Sequence, residues 1–228
     1  MKKIKLVALA LTLLVGISFT SCMNSDDNNS YDGYAFATVS QGYLGSPVLI
    51  ADNGWTLNPT NPSALLLSDG SSYPERVLIY YKYVEGETVQ DGKTDYDITI
   101  VSGGGIYTKA FNSKPDTLVN DYSVTDIAPW IDVNRKYLTV SFLVNYSSNV
   151  DFDMYQQKVG NDTLYVKFNY SKGGSDNAYN NYQDYISFKM PSYIEGITPK
   201  NDSIWVKVSA KGTSGSTIVK NIQCKYDY

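Results

Sequence analysis

The 228-residue chain contains no histidine, and this limits what its side chains can do near neutral pH. Ser-His-Asp and Cys-His nucleophile pairs are excluded, as are zinc sites of the histidine type and the usual proton shuttle. Paired carboxylates are the remaining device for acid–base work. Two pairs have the alternate spacing that sets both acids on one face of a strand, Asp95 with Asp97 and Asp151 with Asp153. Either could take a hard cation such as calcium. Neither matches the EF-hand pattern, and the simpler reading of both is an acidic strand end facing water. A second constellation is aromatic. Tyr170, Tyr179, Tyr182 and Tyr185 gather around the segment 173–177 with Asn177, Asn180, Asn181 and Gln183. Phenol rings stack on the apolar faces of sugars and amides bond their hydroxyls, while rigid, amphipathic tyrosine also suits protein contacts. This set is therefore a candidate ligand-binding site; the competing reading is cross-strand packing of a common strand residue. Trp55, Trp130 and Trp205 are expected in a core or a domain interface. No catalytic residue, metal site or cofactor is expected, and the chain is read as a non-enzyme.

The two cysteines differ in context. Cys22 follows Lys2, Lys3 and Lys5, an apolar run that begins at Leu6, and the exit Phe19-Thr20-Ser21. A basic start, an apolar segment and small residues before a cut make a secretory signal peptide. The apolar segment is about 14 residues long, short of the roughly 20 that span a bilayer. Phe19-Thr20-Ser21-Cys22 resembles the lipobox of bacterial lipoproteins, with Phe19 in place of the usual leucine. The resemblance implies that residues 1–21 are removed and that the Cys22 thiolate, the nucleophile of the pair of residue types present, takes a diacylglycerol. Cys224 then remains as the only free thiol, which excludes an intramolecular disulfide. Alternation places Cys224 on one face with Ile218 and Ile222, as a buried small hydrophobe.

Residues 22–32 are polar, small and acidic, and read as a disordered tether. Met23-Asn24-Ser25-Asp26-Asp27 also resembles the acidic export tag of Bacteroides-type surface lipoproteins. The expected location is therefore the outer membrane, on the cell surface or the periplasmic face, with the membrane engaged through the lipid on Cys22. Residues 1–21 take three of the 19 basic residues with them, leaving 16 against 23 acids and a charge of −7. Such a chain repels phosphate backbones, so nucleic acid is not an expected partner. An extracytoplasmic protein or glycan is.

The elements that must position these residues are strands. Short runs rich in Val, Ile, Thr and Tyr alternate with Gly, Asn, Asp and Ser clusters, and no segment of ten residues holds a helical apolar period. A first group is expected at 34–39, 47–52, 55–57, 76–84 and 96–101, with Asp52-Asn53-Gly54 as a tight hairpin turn. The Gly103-Gly104-Gly105 run is expected to be a turn or bulge, since no helix start or Lys-Ser/Thr follows it as a phosphate loop requires. A second group is expected at 137–146, 151–157, 163–170, 184–190, 203–209 and 218–226. Leu138, Val140, Phe142 and Val144 share one face there, as do Leu164, Val166 and Phe168. Six half-buried strands in this stretch suggest a sandwich. The boundary between the groups is placed at the polar, proline-containing 112–116.

In the same order along the chain come the landmarks of a known family. Tyr34-Ala35-Phe36-Ala37-Thr38-Val39, Asp52-Asn53-Gly54-Trp55-Thr56-Leu57-Asn58-Pro59 and Arg76-Val77-Leu78-Ile79-Tyr80-Tyr81 are followed by Pro129-Trp130-Ile131, Tyr137-Leu138-Thr139-Val140-Ser141-Phe142 and Val166-Lys167-Phe168-Asn169-Tyr170. This ordered set resembles the NigD-like lipoproteins over about residues 34–190. The histidine the family usually carries near Phe168–Tyr170 is absent. The resemblance implies an all-β protein, an OB-like β-barrel over 33–112 followed by an antiparallel β-sandwich over 113–228. It implies no established reaction. Through the bacteriocin gene cluster that gave the family its name, it suggests immunity or another protein-binding role, with surface glycan binding as the alternative.

Overall fold

The computed structural model describes residues 30–42, 45–67, 69–112, 122–145, 150–172 and 181–226, apart from the side chains of Asn145, Lys172 and Asn181. Among the described residues, thirteen strands in chain order make three sheets. The first five are β1 (Gly33–Gln41), β2 (Pro47–Ala51), β3 (Thr56–Pro59), β4 (Arg76–Tyr83) and β5 (Asp95–Gly105). They close into a barrel in the order β1-β2-β3-β5-β4, with β3 and β5 parallel and the other described pairs antiparallel. This is the five-stranded, Greek-key arrangement of an OB-like barrel. Period-two alternation fills it: Ala35 and Ala37 on β1, Val77, Ile79 and Tyr81 on β4, and Tyr96, Ile98 and Ile100 on β5 point inward. The β2–β3 turn is built as the sequence suggests. Gly54 takes φ +91°, its N–H bonds Ala51 O at 2.9 Å, and Asn53 Oδ1 accepts from the Trp55 N–H at 3.0 Å. Only glycine adopts that backbone without strain.

The Gly103-Gly104-Gly105 run is neither a turn nor an isolated bulge. It is the tail of β5, paired with Val77–Ile79, and the register shift lies a step earlier, opposite Tyr80 and Tyr81. A Cβ at Gly103 would stand 2.8 Å from the Leu78 carbonyl, so the close approach of the two backbones requires glycine there.

The remaining strands are β6 (Tyr107–Ala110), β7 (Asp126–Ile131), β8 (Tyr137–Asn145), β9 (Val150–Val159), β10 (Thr163–Lys172), β11 (Asn181–Lys189), β12 (Ser203–Lys211) and β13 (Thr217–Lys225). They form two four-stranded sheets, β6-β11-β8-β7 and β13-β12-β10-β9. The sandwich differs from the expected one in two respects. Each sheet holds one parallel pair, β6 with β11 and β10 with β12. The chain also changes sheets between Gly105 and Tyr107, ahead of 112–116, with Ile106 buried at the crossing. Alternation did not mark β6 or β7, because both are short edge strands and β7 carries Pro129, which an edge tolerates.

Between the sheets lies the larger core. Leu138, Val140, Phe142 and Val144 of β8 face Leu164, Val166 and Phe168 of β10 across it, with Ile204, Val206 and Val208 of β12 beside them. The complementary face of β8 and β11 would be solvated in a free sandwich, yet Thr139 and Ser187 are fully buried there. The barrel covers that face. The molecule is thus layered: barrel, inner sheet β6-β11-β8-β7, outer sheet β13-β12-β10-β9.

Candidate functional site

Two constellations stand out, one at the barrel–sandwich junction and one on the far side of the outer sheet. At the junction Arg76, 0% exposed, points outward from the start of β4 into the inner sheet. Its guanidinium forks onto Asp52 of the barrel's hairpin, Nη1 to Oδ1 at 2.6 Å and Nη2 to Oδ2 at 2.7 Å. The remaining donors reach Thr38 Oγ1 at 3.2 Å, Thr139 Oγ1 at 3.1 Å and Ser187 Oγ at 3.4 Å. Trp130 Nε1 donates to Asp52 Oδ2 at 2.7 Å. Nearby, the Tyr137 hydroxyl donates to Glu75 at 2.6 Å, and Lys189 pairs with the same carboxylate at 2.8 Å. Burial alone would raise the Glu75 pKa, but the bonds from Lys189 and Tyr137 hold it below the usual glutamate value. Burial, reinforced by Glu75, pushes the Tyr137 phenol well above its ordinary range.

Every donor of this buried guanidinium is used, and its carboxylate partner takes three strong bonds. Bidentate charge-assisted bonding of this kind fixes geometry. Three sequence landmarks meet here: Asp52 of the hairpin, Arg76 of the strand after it, and Trp130 of the Pro129-Trp130-Ile131 segment. They form a clamp between domains.

The expected carboxylate pairs are also occupied from within. Lys109 of β6 reaches Asp151 at 3.0 Å and Asp153 at 2.7 Å, so an ammonium of the chain itself stands between them. Asp95 accepts from Asn58 Nδ2 at 2.9 Å. No group of three or more His, Cys, Asp or Glu side chains among the described residues is placed to hold a metal ion.

Of the tyrosines expected around 173–177, the described ones, Tyr170, Tyr182 and Tyr185, do not share one face. Tyr170, 2% exposed, belongs to the core, where its ring stacks on Phe152 with centroids 5.2 Å apart. This corrects its reading as a ligand contact: β10 turns Tyr170 inward with Phe168. Tyr185 is half-buried at the junction, edge-on to Phe36 at 4.8 Å. Tyr182 is exposed and donates to Asp184 on its own strand. Cys22, Asn177 and Tyr179 lie outside the described residues, as does the Asn181 side chain. Cys224 is half-buried against the sandwich core with Ile218 and Ile222; burial pushes its thiol up to about 11.

Trp55 and Trp130 sit where expected, Trp55 tilted on Tyr96 at 5.0 Å and Trp130 in the clamp. Trp205 does not. It is 42% exposed, near the start of the inner strand β12, on the face turned away from the core. In the strand register Thr163, Trp205 and Gln223 form one row across β10, β12 and β13. Lys158, Tyr165, Lys207 and Asn221 form the next, across all four strands. Thr163, Tyr165, Trp205, Lys207 and Asn221 line a shallow depression. A second depression adjoins it at the β9–β10 turn, lined by Asn161, Asp162, Thr198, Pro199 and Lys200. Lys158 Nζ lies 4.6 Å and Lys207 Nζ 5.7 Å from the Tyr165 ring centroid, within cation–π range. The signal for this face was in the sequence. In Ser203-Ile204-Trp205-Val206-Lys207-Val208-Ser209 the aliphatic residues claim the core side, which leaves Trp205 with Lys207 and Ser209 on the other.

The fold defines a class: an all-β protein in which an OB-like barrel packs on one face of a β-sandwich. Solved structures share this fold. A NigD-like immunity protein from Bacteroides caccae superposes with a TM-score of 0.58 at 20% identity, over 86% of this chain and 97% of that one. A candidate lipoprotein from Bacteroides fragilis gives 0.62 at 14% identity over 86% and 98%. A protein of unknown function from Bacteroides vulgatus gives 0.58 at 18% identity over 86% and 90%. At these identities the likeness is one of fold. The sequence matches no protein-family model and no curated protein.

Proposed function

We propose that this chain is a non-catalytic, lipid-anchored binding protein of the cell envelope, and that its ligand side is the outer face of the β13-β12-β10-β9 sheet. The observation that carries the reading is Trp205, a large aromatic left exposed mid-sheet beside Tyr165 and two lysines. Exposed aromatic area with convergent polar groups marks binding surfaces. The Phe19–Cys22 context supports lipid anchoring, and so does a structural neighbour described as a lipoprotein. The neighbour described as a NigD-like immunity protein supports an immunity role, in which the chain would shield its producer from that cell's own toxin. A second reading, surface glycan binding, is favoured by the pairing of aromatic rings with Thr163 and Asn221 on this face.

A deletion strain complemented with the wild-type chain, Cys22→Ala or Trp205→Ala tests the immunity version. The expected result is sensitivity of the deletion strain to its own antibacterial products, rescued by the wild-type chain and by neither variant. Unchanged sensitivity on deletion sinks that version. Undiminished palmitate incorporation into Cys22→Ala sinks the lipid anchor.

A further inference from the structure

We propose that the Trp205 face binds an acidic glycan, a pyranose chain bearing carboxylate or sulfate groups. The inference rests on the glycan version of the reading above and names its ligand class. The chain carries 23 acidic against 19 basic residues, yet this face concentrates cations. Lys158 and Lys207 flank Tyr165, and among the described residues neither is engaged by a carboxylate. Asp162, at the adjoining turn, is turned to the Thr163 hydroxyl at 3.0 Å. A surface that gathers basic groups on an acidic protein is complementary to an anionic ligand.

The aromatic geometry selects a sugar over a simple anion. Tyr165 pairs directly with Lys207, and Thr163 with Trp205, so Trp205 and Tyr165 are diagonal neighbours on adjacent strands, about 7–8 Å apart along such a diagonal. That suits an oligosaccharide with one ring stacked by its axial C–H face on the Trp205 indole and the next lying towards Tyr165, where Lys158 and Lys207, held over the phenol ring, meet its acidic substituent; Thr163 and Asn221 stand among the ring hydroxyls.

Calorimetric titration of the full chain in detergent tests this with four probes: tetragalacturonate, its methyl ester, a sulfated galactose tetrasaccharide and hexaglutamate. The expected result is that at least one acidic sugar binds about tenfold or more tightly than the neutral ester at low salt. A Lys158→Gln/Lys207→Gln variant reduces the acid to the level of the ester, and Trp205→Ala abolishes binding of every sugar. These sites are exposed, and circular dichroism verifies that the variants fold; the lysine variant decides the matter if Trp205→Ala does not. No heat with any sugar overturns the proposal. So does an ester that binds as tightly as the acid, or hexaglutamate that matches the acidic sugar. A dimer that dissociates on Trp205→Ala also overturns it, because a second copy would then own the face. The two readings fail separately: a Trp205→Ala strain that loses protection while no sugar binds keeps the binding face and discards the glycan.

Discussion

Arg76 and Trp205 show how two conspicuous residues divide between stability and recognition. Arg76→Met leaves the partly buried Asp52 beside Trp130 without its cation, and should cost about 3 kcal/mol in urea unfolding. Replacing both partners, Arg76→Met with Asp52→Leu, should recover part of that, since an apolar pair of similar volume avoids the unpaired charge. A double variant less stable than the single would show that the clamp works through something other than this pair. Trp205→Ala should change stability by no more than about 0.5 kcal/mol, as surface substitutions do. Trp130→Ala should cost about 3 kcal/mol through lost packing and a lost donor to Asp52. Equal losses at the two tryptophans would contradict their placement. The Cys224 thiol, pushed up to about 11 by burial, should alkylate roughly a hundredfold more slowly in the native chain than in urea at pH 8.

At the scale of elements, the strands read well wherever one face was buried. Leu138-Thr139-Val140-Ser141-Phe142 declares its core side by alternation, and the structure agrees. The polar side of the same strand was not readable. Thr139 and Ser187 look like solvent-facing residues in sequence and are buried because the barrel covers them, a long-range fact without a local signature. The partners of Arg76 are equally remote in sequence. Asp52, Trp130 and Ser187 come from three separate elements, and only the landmark order hinted that the first two matter. Trp205 was expected in a core or interface although the aliphatic residues beside it already claimed the core side, and Tyr170 and Tyr185, close in sequence to 173–177, lie on different faces because proximity along the chain is not a shared face. The β2–β3 turn gives a test at this scale. Gly54→Ala forces a Cβ into φ +91° and to 3.4 Å from Val133 of the β7–β8 connection, so it should cost about 1–2 kcal/mol. Gly70→Ala, at φ +67° with open space around it, supplies the strain-only comparison and should cost less.

The whole molecule should unfold as one unit. The barrel and sandwich share a buried ion pair, a tryptophan and the Phe36–Tyr185 contact, and such coupling favours one cooperative transition. Distinct barrel and sandwich transitions in calorimetry would contradict this. The tyrosines set its alkaline limit. Burial raises the phenols of Tyr81, Tyr83, Tyr137 and Tyr185 above the ordinary 10.0. A group whose folded pKa is raised contributes stability that is complete below its unfolded pKa and is lost as pH climbs through the folded one. Stability should therefore hold up to about pH 10 and fall above it, with phenolate absorbance and loss of circular dichroism rising together. Titration of all tyrosines ahead of unfolding would contradict this. At the acid end Glu75, held below the usual glutamate value, contributes stability present above 4.5 and lost as pH falls through its lower folded value.

The layering has a mechanical consequence. A lipid at the chain's start would enter through the barrel, while the Trp205 face lies two sheets away on the opposite side of the clamp. A ligand tugged by flow or by a neighbouring cell would pull on one end of a stiff post bolted at the other. The load would cross the Arg76–Asp52 fork and the Trp130 bond. A hinged pair would yield at that seam; a clamped one passes the tension through the inner sheet to the barrel as a single body.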